Sequence, residues 1–553
     1  MTRVSLKHCF FAALFLVVFG LGLAHTIVFR YAMNPDGVSY LDIGDAFWRG
    51  DWSAVLTTYW SPLYPFILGF ALWLTGSPPA MEFTVVHVVN FVLYLGSFVA
   101  FLFFLRTLLD REKIVDVYDR SIFFVFGTSI FLTVALSMIT ISYVTPDVLV
   151  ALVMYVVSGL FIIFLEHPKV RHYVMLGSML GLGYLTKAIL FPYALVVFVL
   201  LFFVVKKDQK RNFGLGVAGS IFLLCMLPWA FSMSAAKEQF TFGETGTINY
   251  AWFNNGVRPF VHWQGEGDAG MPTHPTRKIF DNPVVYEFND GYTVTYAPWF
   301  DPGHWYAGLT PHISLLNTMY TLRVGFSRLV SDMIYYFSFI LLMVVVLWWR
   351  EEDKKEMLLG FWRTYFPLVI SSGIILGLYV AVSVESRYTA PFLMVVPTTL
   401  FVSIYASTKK RDLPYARIVI VAGTVLAILL TGGRNINDVT NAFISSPRHY
   451  HGEVAKGLED IGVPTGESMA YIGHASGGMN AYWARLARVY IIAEVPEEGQ
   501  KIFVDGSIEM RIRVLKVFAD AGAHWVVWEY APLYAEQEGW QRIGQTVYYI
   551  KKL

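Results

Sequence analysis

Five charged residues, Asp36, Asp147, Lys187, Glu385 and Arg387, stand beside long apolar runs in this chain. Ionisable groups at a membrane boundary are costly, and those kept there tend to serve a function. Their types imply a reaction: a carboxylate can take the proton of a hydroxyl, while nearby cations stabilise a departing phosphate. Arg387 suits a two-pronged grip on phosphate, and Lys187 a point charge. Plainer readings exist for each. Asp36, between Pro35 and Gly37, fits a turn at a helix mouth; Asp42 and Asp45 continue onto an amphipathic interfacial helix, and their plainer reading is as solvated acids of a loop. Asp147, after Pro146, could cap a helix N-terminus. Lys187 could snorkel, and Glu385 could form a local salt bridge with Arg387 or orient it. Asp42, Tyr40, Trp60, Tyr64, Tyr388 and Trp263 are further candidates for substrate contact. Trp252, Trp263, Trp299 and Trp305 make the 250–305 stretch rich in rings that stack on sugars, though aromatics also gather at membrane interfaces.

The elements that must hold these residues are membrane helices. The chain has 553 residues, 56% of them hydrophobic and 15% charged. Its mean hydropathy of +0.51 places it among polytopic membrane proteins. A net charge of +1 gives no case for nucleic acid binding. Cys9 and Cys225 both lie in apolar runs and imply neither a disulfide nor a zinc site. Eleven spans are expected, at about 9–29, 82–105, 121–142, 147–165, 173–188, 189–205, 213–234, 326–349, 364–383, 388–407 and 416–432. The first run could be a signal peptide, but its length suits a retained helix.

Basic loops alternate with non-basic ones. Arg3/Lys7, Arg106 to Arg120, Lys169/Arg171, Lys206 to Arg211, Arg350 to Lys355 and Lys409 to Arg417 define one face, and the positive-inside rule makes it cytoplasmic. The five charged candidates fall on the opposite face. So do a first loop at 30–81 with interfacial helices and a large loop at 235–325. Residues 62–75 are apolar but too short to span, and Pro62 and Pro65 break their start, so they read as an interfacial or re-entrant segment. Domain one is then 1–432. Residues 433–553 alternate strand-length runs (468–473, 488–494, 524–530, 546–553) with a helical run at 507–521. They read as a small extracytoplasmic α/β domain. Gly473, Gly477 and Gly478 follow a strand, as a plain turn or as a phosphate-binding loop.

Four segments carry a family resemblance: PDGVSYLDIG…WSPLYP, TPDVLVAL, GLGYLTK and ESRYTAPF. In this order and on one face, they resemble the GT-C superfamily of membrane glycosyltransferases. The nearest branch is that of the protein O-mannosyltransferases and the lipid A aminoarabinose transferases. The resemblance covers about residues 1–410. It implies a transferase that moves a sugar from a polyprenyl-phosphate donor to a hydroxyl of a lipid, glycan or protein. The catalytic base would fall on Asp36 and the second-loop acid on Asp147. The cations at the lipid phosphate would be Lys187 and Arg387. No cofactor is required; a divalent ion shared by Asp36 and Asp147, as in related branches, is compatible but not demanded. The implied setting is a bacterial inner membrane, with the N-terminus cytoplasmic and the active site outside. Two departures stand out: Asp36-Gly37 replaces the family's frequent Asp-Glu, and no Trp-Trp-Asp run is present. The alternative from another class is a transporter or flippase of lipid-linked sugars, which would place ionisable groups or broken helices at mid-membrane depth.

Overall fold

The computed structural model describes residues 3–166, 168–205, 209–256, 276–288, 294–300, 311–409, 411–445, 449–475 and 481–553. Among these, nine helices are long and apolar enough to cross a membrane. The spans expected from the sequence all fold as helices: α1 (Arg3–Val28), α5 (Glu82–Arg111), α6 (Val117–Leu132), α7 (Asp147–Phe164), α8 (Val170–Thr186), α9 (Leu190–Val204), α10 (Gln209–Ala236), α12 (Leu315–Arg350), α13 (Lys354–Val382), α14 (Ser386–Ser407) and α15 (Leu413–Ile444). The difference lies in α8 and α9. At 17 and 15 residues they fall outside the nine. They measure roughly 26 and 22 Å, against a hydrocarbon core of about 30 Å. The chain breaks between them at Lys187, whose backbone is extended. Helix α6 ends in wider π turns at Thr133–Ile139, and α15 runs on to Ile444, past the expected end at 432.

The first loop, at 30–81, forms three helices, α2 (Pro35–Arg49), α3 (Trp52–Val55) and α4 (Leu63–Thr75). Proline at the first position of α2 suits a helix start, because its missing N–H would have had no partner there. The 62–75 segment, expected to lie at the interface or re-enter, is α4, a 13-residue helix packed on α2. The two cross glycine on glycine. A Cβ on Gly69 would lie 2.5 Å from the Gly44 carbonyl oxygen, so only glycine permits this approach. Helix α11 (Thr245–Asn254) belongs to the large loop at 235–325.

The C-terminal region holds α16 (Tyr450–Ile461), β3 (Ser468–Ile472), α17 (Tyr482–Ala487), β4 (Tyr490–Val495), α18 (Glu497–Asp505), α19 (Ile508–Asp520), β5 (Trp525–Glu529), β6 (Gln541–Arg542) and β7 (Tyr548–Lys552). Strands β4, β3 and β5 are parallel neighbours, and β7 and β6 extend them antiparallel. The four strand-length runs and the helical run at 507–521 each become an element of that kind. The other edge of the sheet is unexpected: β1 (Arg277–Asp281) and β2 (Val284–Glu287), from the large loop at 235–325, complete a seven-stranded sheet in the order β1-β2-β4-β3-β5-β7-β6. One face of the sheet also shares a core with the first loop. Met33, Val38, Leu41, Tyr64 and Phe83 pack in one cluster with Val454, Met469, Trp483 and Tyr548. Burying each such side chain favours folding by about 1.5–3 kcal/mol, so this shared core joins the sheet region to the loop that bears Asp36.

Candidate active site

Four elements converge on one cluster of charges. Asp36 lies in the first turn of α2 and Asp147 in the first turn of α7. Arg387 lies in the first turn of α14, and Lys187 in the break after α8. Three helix N-termini therefore meet, each with partial positive charge from unpaired N–H groups. That field favours the two carboxylates and opposes Arg387, whose charge the carboxylates offset.

The distances fit this account. Lys187 Nζ donates to Asp147 Oδ1 at 2.6 Å. Arg387 Nη2 lies 3.4 Å from Asp36 Oδ2, and Nη1 lies 3.9 Å from Asp147 Oδ2. The same guanidinium donates to the Tyr388 hydroxyl at 3.1 Å. Lys187 Nζ sits 3.8 Å above the Tyr388 ring, and Tyr143 brings its ring to 5.8 Å from the guanidinium. Such cation–π contacts hold the cations in place without consuming their charge. Asp147 is almost wholly buried, yet its Oδ2 makes no hydrogen bond. Asp36 is on a helix outside the spans. Burial pushes its carboxyl above the ordinary range, opposed by the Arg387 charge and hydrogen bond.

The structure thus brings Asp36, Asp147, Lys187, Arg387 and Tyr388 together. It corrects the role expected of Glu385. That side chain is exposed, and its carboxylate pairs with no cation among the described residues. Its backbone carbonyl instead accepts from the N–H of Tyr388, in the first turn of α14. Asp36 and Asp147, not Glu385, orient Arg387.

Asp42 takes partners outside the cluster: it accepts from Thr295 N–H at 3.0 Å and Thr295 Oγ1 at 2.9 Å, and pairs with Arg485 at 3.0 Å. Asp45 pairs with Arg485 at 2.6 Å and Arg488 at 3.3 Å, so neither acid is a solvated loop residue. Tyr40, one turn after Asp36, packs against Trp60 (4.7 Å between centroids) and edge-on to Tyr64 (5.2 Å). Tyr64 is fully buried and donates to Asn90 at 2.7 Å, which makes it part of the framework rather than a substrate contact. Trp252 and Trp299 stack on each other at 6.3 Å, and both pack on Tyr59. Trp263, Trp305, Gly477 and Gly478 lie outside the described residues. Sequence reasoning missed Tyr143, although it stands four residues before Asp147, and Arg485, whose position carries no local signal. For a metal, the described residues contain no group of three or more His, Cys, Asp or Glu side chains able to hold an ion. Asp36 and Asp147 would have to share it against the cations now paired with them.

No family model matches this chain, and no curated protein does. Solved structures do. ArnT from Cupriavidus metallidurans in the apo state superposes with a TM-score of 0.53 at 12% identity, over 100% of this chain and 98% of that one. The same protein bound to undecaprenyl phosphate gives 0.51, at 12% identity and the same coverage. The Archaeoglobus fulgidus oligosaccharyltransferase tethered with an acceptor peptide gives 0.50 at 11% identity, over 94% of this chain and 69% of that one. At 11–12% identity, both neighbours share the fold of this chain. The resemblance read from four sequence segments therefore holds at the level of the fold.

Proposed function

We propose that this chain is an integral-membrane inverting glycosyltransferase. It moves a sugar from a polyprenyl-phosphate donor to a hydroxyl of a lipid, glycan or protein on the extracytoplasmic face of a bacterial inner membrane. The observation that carries this reading is the convergence of Asp36, Asp147, Lys187 and Arg387 from four separate elements onto one cluster. The undecaprenyl phosphate bound by ArnT, which shares the fold, supports a lipid-phosphate donor. Alternation of basic loops supports an outward-facing site, where a lipid carrier can deliver a sugar laterally. The placement of all four charged residues on the face opposite the basic loops, rather than at mid-membrane depth, supports transfer over transport.

The step is one displacement. The acceptor oxygen attacks the anomeric carbon, and its proton passes to the Asp36 carboxylate. The bond from that carbon to the phosphate oxygen breaks, and its electron pair leaves with polyprenyl phosphate. Lys187 and Arg387 take up the charge that grows on the phosphate, in a site whose donors are already in place. Asp147 holds both cations and offers Oδ2 to a substrate hydroxyl. This scheme routes no step through a metal ion.

The test compares wild type with Asp36→Asn in lipid nanodiscs. Both receive a panel of polyprenyl-phosphate sugars with candidate acceptors, and free polyprenyl phosphate is measured by mass spectrometry. Release by wild type and its loss in the folded variant are expected. Equal release in both would remove Asp36 from the chemistry.

A further inference from the structure

The two acids are carried by different helices, and the 140–146 segment lies between them. It leaves the π turns of α6 and delivers Asp147 to the start of α7. Thr140 opens it at φ 56°, ψ 112°. A β-branched residue rarely adopts positive φ, and the cost is about 1–3 kcal/mol. The segment does not choose this path by its own preferences; its neighbours impose it.

Two asparagines do so. Asn34, which starts α2, accepts from the Val144 N–H at 2.9 Å, and its amide lies 3.5 Å from the Val144 carbonyl. Asn90 on α5, fully buried, donates to the carbonyls of Ile141 (3.3 Å) and Tyr143 (3.0 Å) and accepts from Tyr64. Gly37 supplies the third contact. A Cβ there would lie 2.8 Å from Val144 Cβ and 2.5 Å from Met33 Sδ. Methionine can swing aside, but Val144 is held by Asn34. Helix α2 can therefore rest on the segment only if residue 37 has no side chain, which gives a physical reason for the Asp36-Gly37 pair. Asn34 and Gly37 flank Asp36 closely in sequence, and Tyr143 of the held segment faces Arg387.

We propose that Asn34 and Gly37 are positioning residues that lock the helix bearing Asp36 onto the segment bearing Asp147. They thereby set the Asp36–Arg387–Asp147 spacing on which transfer depends. This rests on the transferase reading above. The residues touch neither substrate nor leaving group; they act through the two carboxylates.

The experiment measures kcat, KM and the pH–rate profile in nanodiscs for wild type, Asp36→Asn, Asn34→Ala, Asn34→Asp, Gly37→Ala and Gly37→Ala/Val144→Gly. Polyprenyl phosphate retention is read by native mass spectrometry. Displacement of reacting groups by an ångström costs on the order of 100-fold. Asn34→Ala and Gly37→Ala should therefore lose roughly 10- to 100-fold in kcat while KM for the donor and lipid-phosphate retention stay near wild type. The acidic limb should also move to higher pH. Asp36 faces Arg387 from α14, Lys187 from the α8–α9 break and Asp147 from α7, and a displaced α2 loses the Arg387 contact that favours its ionised form. A variant that is merely less stable would lose active enzyme without moving the limb. Asn34→Asp keeps the acceptor for Val144 N–H, and Val144→Gly removes the clash with a Cβ at 37; both should recover activity. Loss of transfer in Asp36→Asn with wild-type kcat and an unmoved limb in Asn34→Ala would overturn the positioning role and leave the transferase reading intact. Full transfer by Asp36→Asn would overturn the transferase reading itself. If Gly37→Ala fails to fold, Asn34→Ala and its Asp counterpart decide the matter.

Discussion

Replacing Arg485 by methionine should loosen the helix that bears Asp36 from a site that contains no catalytic group. Arg485 is 4% exposed. It lies 3.0 Å from Asp42, 2.6 Å from Asp45 and 3.0 Å from Glu82, and so ties α17 to α2 and to the start of α5. Methionine keeps much of the volume and removes the charge. Removing one partner of a buried ion pair costs about 3–5 kcal/mol, because the other charge stays buried without compensation. Here the loss is softened: Arg488 still pairs with Asp45 and Glu82, and Thr295 still donates twice to Asp42. About 3 kcal/mol, the low end, is therefore expected, or a factor on the order of 100 in the local opening equilibrium. Hydrogen exchange in nanodiscs reads this directly, as faster exchange of the α2 and α17 amides with the spans unchanged. Adding Glu82→Gln to Arg485→Met should return part of the loss, since removing both partners of a buried pair is often near neutral. Unchanged exchange in Arg485→Met, or no recovery in the double variant, would refute the assignment of these charges as the clamp between α17 and α2.

Other outcomes follow from the same geometry. Lys187→Ala should reduce polyprenyl phosphate retention and transfer together, since it removes a cation and leaves Asp147 beside Arg387 alone; native mass spectrometry with the turnover assay checks this. Activity should fall as pH falls through the Asp36 pKa, because the base must be ionised. Burial raises that pKa, so the acidic limb should lie above the ordinary aspartate value of about 4; a pH–rate profile tests it, and a limb at or below that value would contradict it. Turnover should survive exhaustive chelation, and complete loss restored by one divalent metal would overturn the metal-free scheme. Gly69→Ala should destabilise the α2–α4 contact by about 1–3 kcal/mol through overpacking, seen as a lower unfolding temperature.

The positions of the helices and of most strands could be read from local pattern. Apolar runs of membrane length and short β-branched or aromatic runs have physical periods that one chain displays by itself. Charged residues beside apolar runs stand out for the same reason, which is why Asp36, Asp147, Lys187 and Arg387 could be named before any contact was known. Partner choice has no such period. Glu385 is two residues from Arg387, yet the guanidinium turns toward Asp36 and Asp147, which are distant in sequence and close in space. Asp42 looked like a loop acid until Arg485 and Thr295 closed around it. The strands β1 and β2 join the sheet because β4 offers an open edge, a fact that no residue in 277–287 records. Local sequence determined what each segment could become and which charges a membrane would tolerate only at its boundary. The tertiary structure decided which charge meets which, because long-range pairing is settled by packing geometry and by the cost of burying a charge alone.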